Sequence, residues 1–229
     1  MRIKKYAIIV AGGEGNRAGG SIPKQFQKIA GLPMLWWSVR AFYFEDQSTE
    51  IILVLHPGFF DDWDILCKDL PEEDKRIPVK IVAGGRSRLE SVKNGLYSVP
   101  SDGLSVVAIH DAARPMVSEK LISRGWSCAL EDGAAVPVVP LSDSIRKVVG
   151  GKNLSVPRNE YVMVQTPQVF TGELIKEAYR QPLNPNMTDD ASVVEAYGHK
   201  ISCYPGESEN IKVTNPNDLK IANLLLESR

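Results

Sequence analysis

Tyr6-Ala7-Ile8-Ile9-Val10-Ala11-Gly12-Gly13-Glu14-Gly15-Asn16-Arg17-Ala18-Gly19-Gly20-Ser21-Ile22-Pro23-Lys24-Gln25 is the stretch that decides the fold. Tyr6 to Val10 is a short, β-branched apolar run, the pattern of a strand buried on both faces, and it empties directly into glycines. Glycine lets a backbone approach a phosphate chain closely and aim N–H groups at it, while Arg17 and Lys24 supply the positive charge a polyphosphate requires. A loop with only a turn to make has no use for two cations. A P-loop is excluded because no Gly-Lys-Ser/Thr triplet closes the segment into a helix. Gly13-x-Gly15-x-x-Ala18 matches the permissive dinucleotide fingerprint, but that fingerprint must open a helix and be followed by an acid ending the second strand. Gly19, Gly20 and Pro23 forbid the helix, and the second strand runs into His56.

Outward from the loop, Ile51 to Leu55, Val79 to Ala83 and Leu104 to Ile109 repeat the buried-strand pattern, each followed by a segment of helix length. This alternation predicts an α/β fold: a single Rossmann-like domain over residues 1–229, with a mainly parallel central sheet flanked by helices. Helix starts agree: Pro33 falls in a first turn, Ser87 with Glu90 forms a capping box, and Asn215-Pro216 is a cap followed by an N1 proline. One segment breaks the pattern. After Val136-Pro137-Val138-Val139-Pro140, the runs Ser144 to Val149 and Lys152 to Val156 flank Gly150-Gly151, a two-residue hairpin signal. This β-arm, at about 140–160, is too polar on both faces to bury itself, and a lone hairpin is marginal in water. It is expected to protrude and pack against a second copy in a homodimer. Gln181 to Met187, rich in proline and asparagine, reads as a surface connection.

With 27 basic and 28 acidic residues the net charge is -1, so no positive field draws in nucleic acid or an anionic membrane, and an anionic ligand must be held locally. Cys67, Cys128 and Cys203 form no C-x-x-C pair, and His56, His110 and His199 are scattered, which argues against zinc. No apolar run is long enough to span a bilayer, and the start Met1-Arg2-Ile3-Lys4-Lys5 lacks a signal-peptide pattern. Unpaired cysteines fit a reducing compartment, so the chain reads as cytoplasmic.

Further blocks stand in order along the chain: Gly84-Gly85 with Arg88 and Ser91-Val92, His110-Asp111-Ala112-Ala113-Arg114-Pro115, Ala135-Val136-Pro137-Val138, Gln165-Thr166-Pro167-Gln168, Thr188-Asp189-Asp190-Ala191-Ser192 and Asn210-Ile211-Lys212-Val213-Thr214. With Pro23-Lys24-Gln25 they resemble the sugar-phosphate nucleotidyltransferases, and especially the 2-C-methyl-D-erythritol 4-phosphate cytidylyltransferases. The resemblance implies transfer of CMP from CTP to the phosphate of a small sugar alcohol, with release of pyrophosphate. It implies catalytic roles for Arg17, Lys24 and Lys212. It implies contacts to CTP from Ala11, Gly12, Gly13, Gly15, Gly85, Ser91, Asp111 and Ala112, with backbone groups near Ala11 and Gly85 selecting cytosine. On the acceptor phosphate it implies Arg114, Ser144, Arg158 and Thr188, with Arg158 reaching across the dimer.

Asp111 follows the fourth strand, at the carboxyl end of the sheet where ligands of open α/β folds collect, so its carboxylate is placed to bind magnesium. A loop aspartate taken alone more often caps a turn or pairs with a neighbour such as Arg114. Lys212 lies in a β-patterned segment, Ile211 to Val213, where its cation needs an anionic partner, although alternation alone suggests an exposed edge lysine. Thr188 reads as a helix cap, a phosphate ligand, or both. Arg86 departs from the acidic or small polar residue common at its position in that family. Ribitol 5-phosphate cytidylyltransferase is the nearest rival; a silent nucleotide-binding sensor or a dehydrogenase fits less well.

Overall fold

The computed structural model describes residues 3–13, 23–101 and 104–228. Along the chain, β1 (Lys4–Ala11) is followed by a small two-stranded turn, β2 (Lys28–Ile29) and β3 (Leu32–Pro33), and by helix α1 (Met34–Glu45). The alternation continues through β4 (Glu50–Leu55), α2 (Phe60–Asp69), β5 (Val79–Ala83), α3 (Arg88–Tyr97), β6 (Ser105–Asp111) and α4 (Glu119–Asp132). Then come β7 (Ala134–Pro140), the hairpin β8 (Arg146–Val149) and β9 (Lys152–Ser155), β10 (Val162–Val164), β11 (Gln168–Thr171), α5 (Gly172–Ala178), α6 (Asp190–Ala196), β12 (Ser202–Pro205) and α7 (Pro216–Glu227).

β1 is central, parallel to β4 on one side and β6 on the other, and β5 extends the sheet beyond β4. Its residues divide by the period of two that a strand imposes. Ala7, Ile9 and Ala11 pack with Leu35, Val39 and Phe42 of α1 and Leu121 and Trp126 of α4, whereas Tyr6 and Ile8 pack with Val92 of α3, Ile175 of α5 and Val193 of α6. Burial on both faces explains why these strands read as unbroken apolar runs. The second half of the sheet is mixed. β11 is antiparallel to β6 and β7, β10 pairs antiparallel with the far end of β7, and β12 lies parallel along its other edge. Among the described residues the hairpin β8–β9 pairs only with itself, turning through Gly150 and Gly151 at φ +56° and +78°, the left-handed conformations this tight turn requires.

Four local expectations are corrected. Pro33 stands just before the first residue of α1 rather than within its first turn. Ser87 caps α3 by accepting from the Glu90 N–H, but the Glu90 carboxylate accepts from the Arg86 N–H, so the box closes on one side only. Asp111 is the last residue of its strand, not the one after it. Ile211 to Val213 is not a strand: the Val213 N–H donates to the Ala113 carbonyl at 2.8 Å, and its side chain is buried with Met34, Ala222 and Leu226. The apolar alternation there reflects packing against α7, not sheet pairing. Asn215 with Pro216 caps α7 as expected, closing a full capping box with Asp218.

Candidate active site

Because β1 and β6 are parallel neighbours in register at Val10 and Asp111, the glycine loop and the acid leave the sheet side by side. The Ala112 N–H donates to the Val10 carbonyl at 3.1 Å and fixes that junction. A second loop leaves β5 and meets the first: a Cβ on Gly12 would lie 2.8 Å from Ser91 Oγ, and one on Gly84 would lie 3.3 Å from the Gly12 Cα. Only glycines allow this approach. Ser91 Oγ accepts from the Gly85 N–H at 3.0 Å and donates to the Ser87 carbonyl at 2.9 Å, so it shapes the second loop from within. Gln25, buried, donates from Nε2 to the carbonyls of Ala11 and Gly13 at 3.4 and 3.1 Å and braces the first. Between the loops lies a cavity of about 480 Å³ whose lining includes Gly13, Lys24, Gly85, Ser91, Asp111 and Lys212.

The Asp111 carboxylate forms its floor. Lys212 Nζ donates to Oδ2 at 2.7 Å and Arg88 Nε donates to Oδ1 at 3.0 Å. Burial pushes the carboxyl pKa up, but the two cations outweigh burial and hold it far below the usual carboxylate range. Lys24 Nζ donates to the Val213 carbonyl at 3.0 Å, which brings the second lysine next to Lys212. Beneath them His110 is fully buried. The Asp111 N–H donates to Thr166 Oγ1, which stands 3.0 Å from His110 Nδ1, while His110 Nε2 faces the Arg114 carbonyl at 3.1 Å. A carbonyl can only accept, so Nε2 carries a proton toward it, and burial keeps the ring from taking up a second one at neutral pH. Burial lowers its pKa to about 4, in keeping with a bracing role.

Ala11, Gly12, Gly13, Gly85, Ser91, Asp111, Ala112, Lys24 and Lys212 therefore converge on one cavity. Arg17 and Gly15 lie outside the described residues. Arg114 does not line the cavity; it donates from Nη1 to the Asn210 carbonyl at 2.8 Å and so tethers the segment carrying Lys212. Thr188 is exposed and does not cap α6; Asp189 does, accepting from the Ser192 N–H in a full capping box. Ser144 and Arg158 are exposed beside the arm, away from this chain's cavity, and Arg158 Nη1 donates to the Ser142 carbonyl. Arg86 sits on the cavity rim, paired with Glu90 at 3.1 Å.

Sequence reasoning missed Gln25 and the far side of Arg88, whose Nη2 donates to Asp190 Oδ2 at 2.6 Å. Both arginine and acid stand in the blocks quoted above, but no local pattern pairs residues 102 positions apart. Among the described residues no cluster of three or more His, Cys, Asp or Glu could hold a metal ion. The donor set nonetheless fits magnesium, which takes one or two carboxylates and completes its shell with phosphate oxygens and water. Asp111 is the one acid among the described lining residues, and two of its roughly four lone-pair sites remain open.

Lysines gathered around one acid, with a glycine loop beside them, suit chemistry carried by positioning and charge, which is how phosphoryl and nucleotidyl groups are moved; the class is the nucleotidyltransferases. The family model for 2-C-methyl-D-erythritol 4-phosphate cytidylyltransferase matches residues 5–228, and the chain belongs to that family. Proteins of that name from Phocaeicola vulgatus and Porphyromonas gingivalis are 44% and 43% identical to it, over 98% and 100% of this chain and the full length of each relative. The crystal structure of the Thermus thermophilus protein of that name has TM-score 0.76 at 31% identity, covering 98% of this chain and 100% of that one. A 4-diphosphocytidyl-2C-methyl-D-erythritol synthase from Anaerococcus prevotii shares the fold, with TM-score 0.82 at 24% identity over 98% and 99% of the two chains.

Proposed function

We propose that this chain transfers CMP from CTP to 2-C-methyl-D-erythritol 4-phosphate, releasing pyrophosphate and supplying isoprenoid precursor synthesis. The observation that carries the reading is the Asp111 carboxylate held between Lys212 and Arg88 on the floor of a cavity walled by the glycine loop. An oxygen of the acceptor's phosphate attacks the α-phosphorus in line, a P–O bond forms, and the bond to the β-phosphate oxygen breaks. A phosphate monoester is largely ionised near neutral pH, so no general base is needed. The chain's task is to orient and neutralise. Backbone N–H groups of the glycine loop, with Arg17 and Lys24, take the triphosphate, and Lys212 meets the charge that develops at the α-phosphate. Asp111 would hold magnesium, which would supply charge to offset that of the triphosphate. Arg114, Ser144, Arg158 and Thr188 are assigned to the acceptor phosphate.

Arg158 and Ser144 serve the cavity of a second subunit in this reading. Support comes from the exposed apolar surface they accompany: Val148, Val149 and Leu154 on the arm, and Val162 to Val164 on β10, which among the described residues pairs only with β7. An open edge with apolar side chains is a surface that soluble proteins cover. No helix among the described residues is long and apolar enough to cross a membrane, and the unpaired cysteines favour the cytoplasm. The test is pyrophosphate release with CTP and magnesium, run with methylerythritol 4-phosphate, with ribitol 5-phosphate and with no acceptor. Release with the first acceptor alone is expected. Release with ribitol 5-phosphate alone would reassign the acceptor, and silence with both would overturn the transferase reading.

A further inference from the structure

Asp190 is fully buried beside the site, and the reaction outlined above gives it no part. It accepts from Arg88 Nη2 at 2.6 Å through Oδ2 and from the Tyr179 hydroxyl at 2.6 Å through Oδ1. Its backbone is pinned from both sides by Gln168 of β11: Nε2 donates to the Asp189 carboxylate, and Oε1 accepts from the Ala191 N–H, each at 2.8 Å. β11 is the direct neighbour of β6, the strand that ends in Asp111. One arginine therefore spans two acids, reaching Asp111 with Nε and Asp190 with Nη2. An arginine facing a single carboxylate prefers to close on both of its oxygens in a fork. Asp190 prevents that closure here. Two acids and two cations balance while Lys212 rests on Asp111; once Lys212 turns toward phosphates, Arg88 alone faces both acids and the pair keeps net negative charge.

We propose that Asp190 is a positioning residue for the transfer reaction: by holding one end of the Arg88 guanidinium it keeps Arg88 on Oδ1 of Asp111 alone, so that Oδ2 and residual charge are left for the metal–triphosphate once Lys212 turns away. The inference rests on the reading of Asp111 as the metal-binding acid. It distinguishes Asp190 from a buried strut, whose loss costs stability but leaves metal binding alone.

The experiment compares the full-length wild type with Asp190→Asn, Arg88→Lys, the double variant and Asp111→Asn. Two quantities are read on folded protein: the magnesium concentration giving half-maximal rate at saturating CTP and acceptor, and the affinity of the enzyme–CTP complex for Mn²⁺ by electron paramagnetic resonance without acceptor. Loss of an outer partner of a metal ligand typically costs about 10- to 100-fold in metal affinity or activity, and Asp190→Asn is expected in that range on both readouts, with acceptor KM unchanged. Arg88→Lys, which cannot span both acids, should behave alike, and the double variant should be no worse than the worse single one. Wild-type metal dependence and Mn²⁺ binding in Asp190→Asn, whatever its melting temperature, would overturn the proposal. If that variant does not fold, the same result in Arg88→Lys does so. Full activity and Mn²⁺ binding in Asp111→Asn would instead remove the underlying site reading.

Discussion

The carboxyl edge of the sheet and the β-arm are opposites in how they use the chain. At the edge, the site's main polar side chains are paired within the same subunit: Asp111 has two cations, Ser91 braces a loop, and His110 faces a partner at both ring nitrogens. On the arm, Val148, Val149 and Leu154 are 70%, 64% and 67% exposed, and neither hairpin strand pairs with the body. The register puts Val149 and Leu154 on one face and Val148 on the other, so both faces carry exposed apolar side chains, which corrects the expectation of an arm polar on both faces. A buried, internally paired region carries its own stability, while an exposed apolar one stores binding energy for a partner. The first is finished by folding; the second, in the dimer proposed above, by association.

The comparison breaks most sharply at Lys212. Lys212→Ala should leave a folded protein but lower kcat about 10²- to 10³-fold, as loss of one transition-state donor does; steady-state kinetics beside a thermal melt check it, and a kcat within about 10-fold of wild type would sink its assigned role. Next comes acid. The unfolded His110 takes up a proton near pH 6.5 and the native ring only near 4, so the unfolded state binds more protons between those values and stability falls as pH drops through that window. The loss should reach about 3 kcal/mol by pH 4 in denaturant titrations, and His110→Gln should flatten the slope, whereas subunit association should follow no such window. On the arm, Leu154→Asp should weaken the dimer by roughly 2 kcal/mol, the worth of burying one leucine, and leave the melting of dilute monomer unchanged; sedimentation equilibrium reads it. The smallest effect separates two neighbours: Asp189→Ala should cost about 1 kcal/mol through its cap, and Thr188→Ala less than about 0.5 kcal/mol in stability.

How much could be read in advance follows from the range of each interaction. The strand Val79–Ala83 was legible to the residue, as were the turn at Gly150-Gly151 and the cap at Asn215, because side-chain period, glycine conformation and capping act over a few residues. The gathering of Lys24, Asp111 and Lys212 was expected from the resemblance; the sheet order sets Asp111 beside the glycine loop, and the bonds of Val213 to Ala113 and of Lys24 to Val213 bring in the lysines. What stayed hidden depends on tertiary packing. The pairing of Arg88 with Asp190 joins α3 to α6 through space. Lys212 looked like a strand residue because Ile211 and Val213 are apolar for a different reason, their burial against α7. The cap of α6 fell on Asp189 because its carboxylate, shared between Ser192 and Gln168, outcompetes the hydroxyl one position earlier.

The sequence distances closed by the two lysines carry a consequence for the order of folding. Lys212 reaches Asp111 across 101 residues, and Lys24 reaches Val213 across 189. Contacts that close such long loops form after local helices have condensed, because the entropy of closure must be overcome before they reward it, and the β1–β6 pairing, whose partners stand as far apart in sequence as Lys212 and Asp111, shares that cost. The cluster of charges is therefore a record of completed folding. During refolding from denaturant, helical circular dichroism should return ahead of nucleotide turnover.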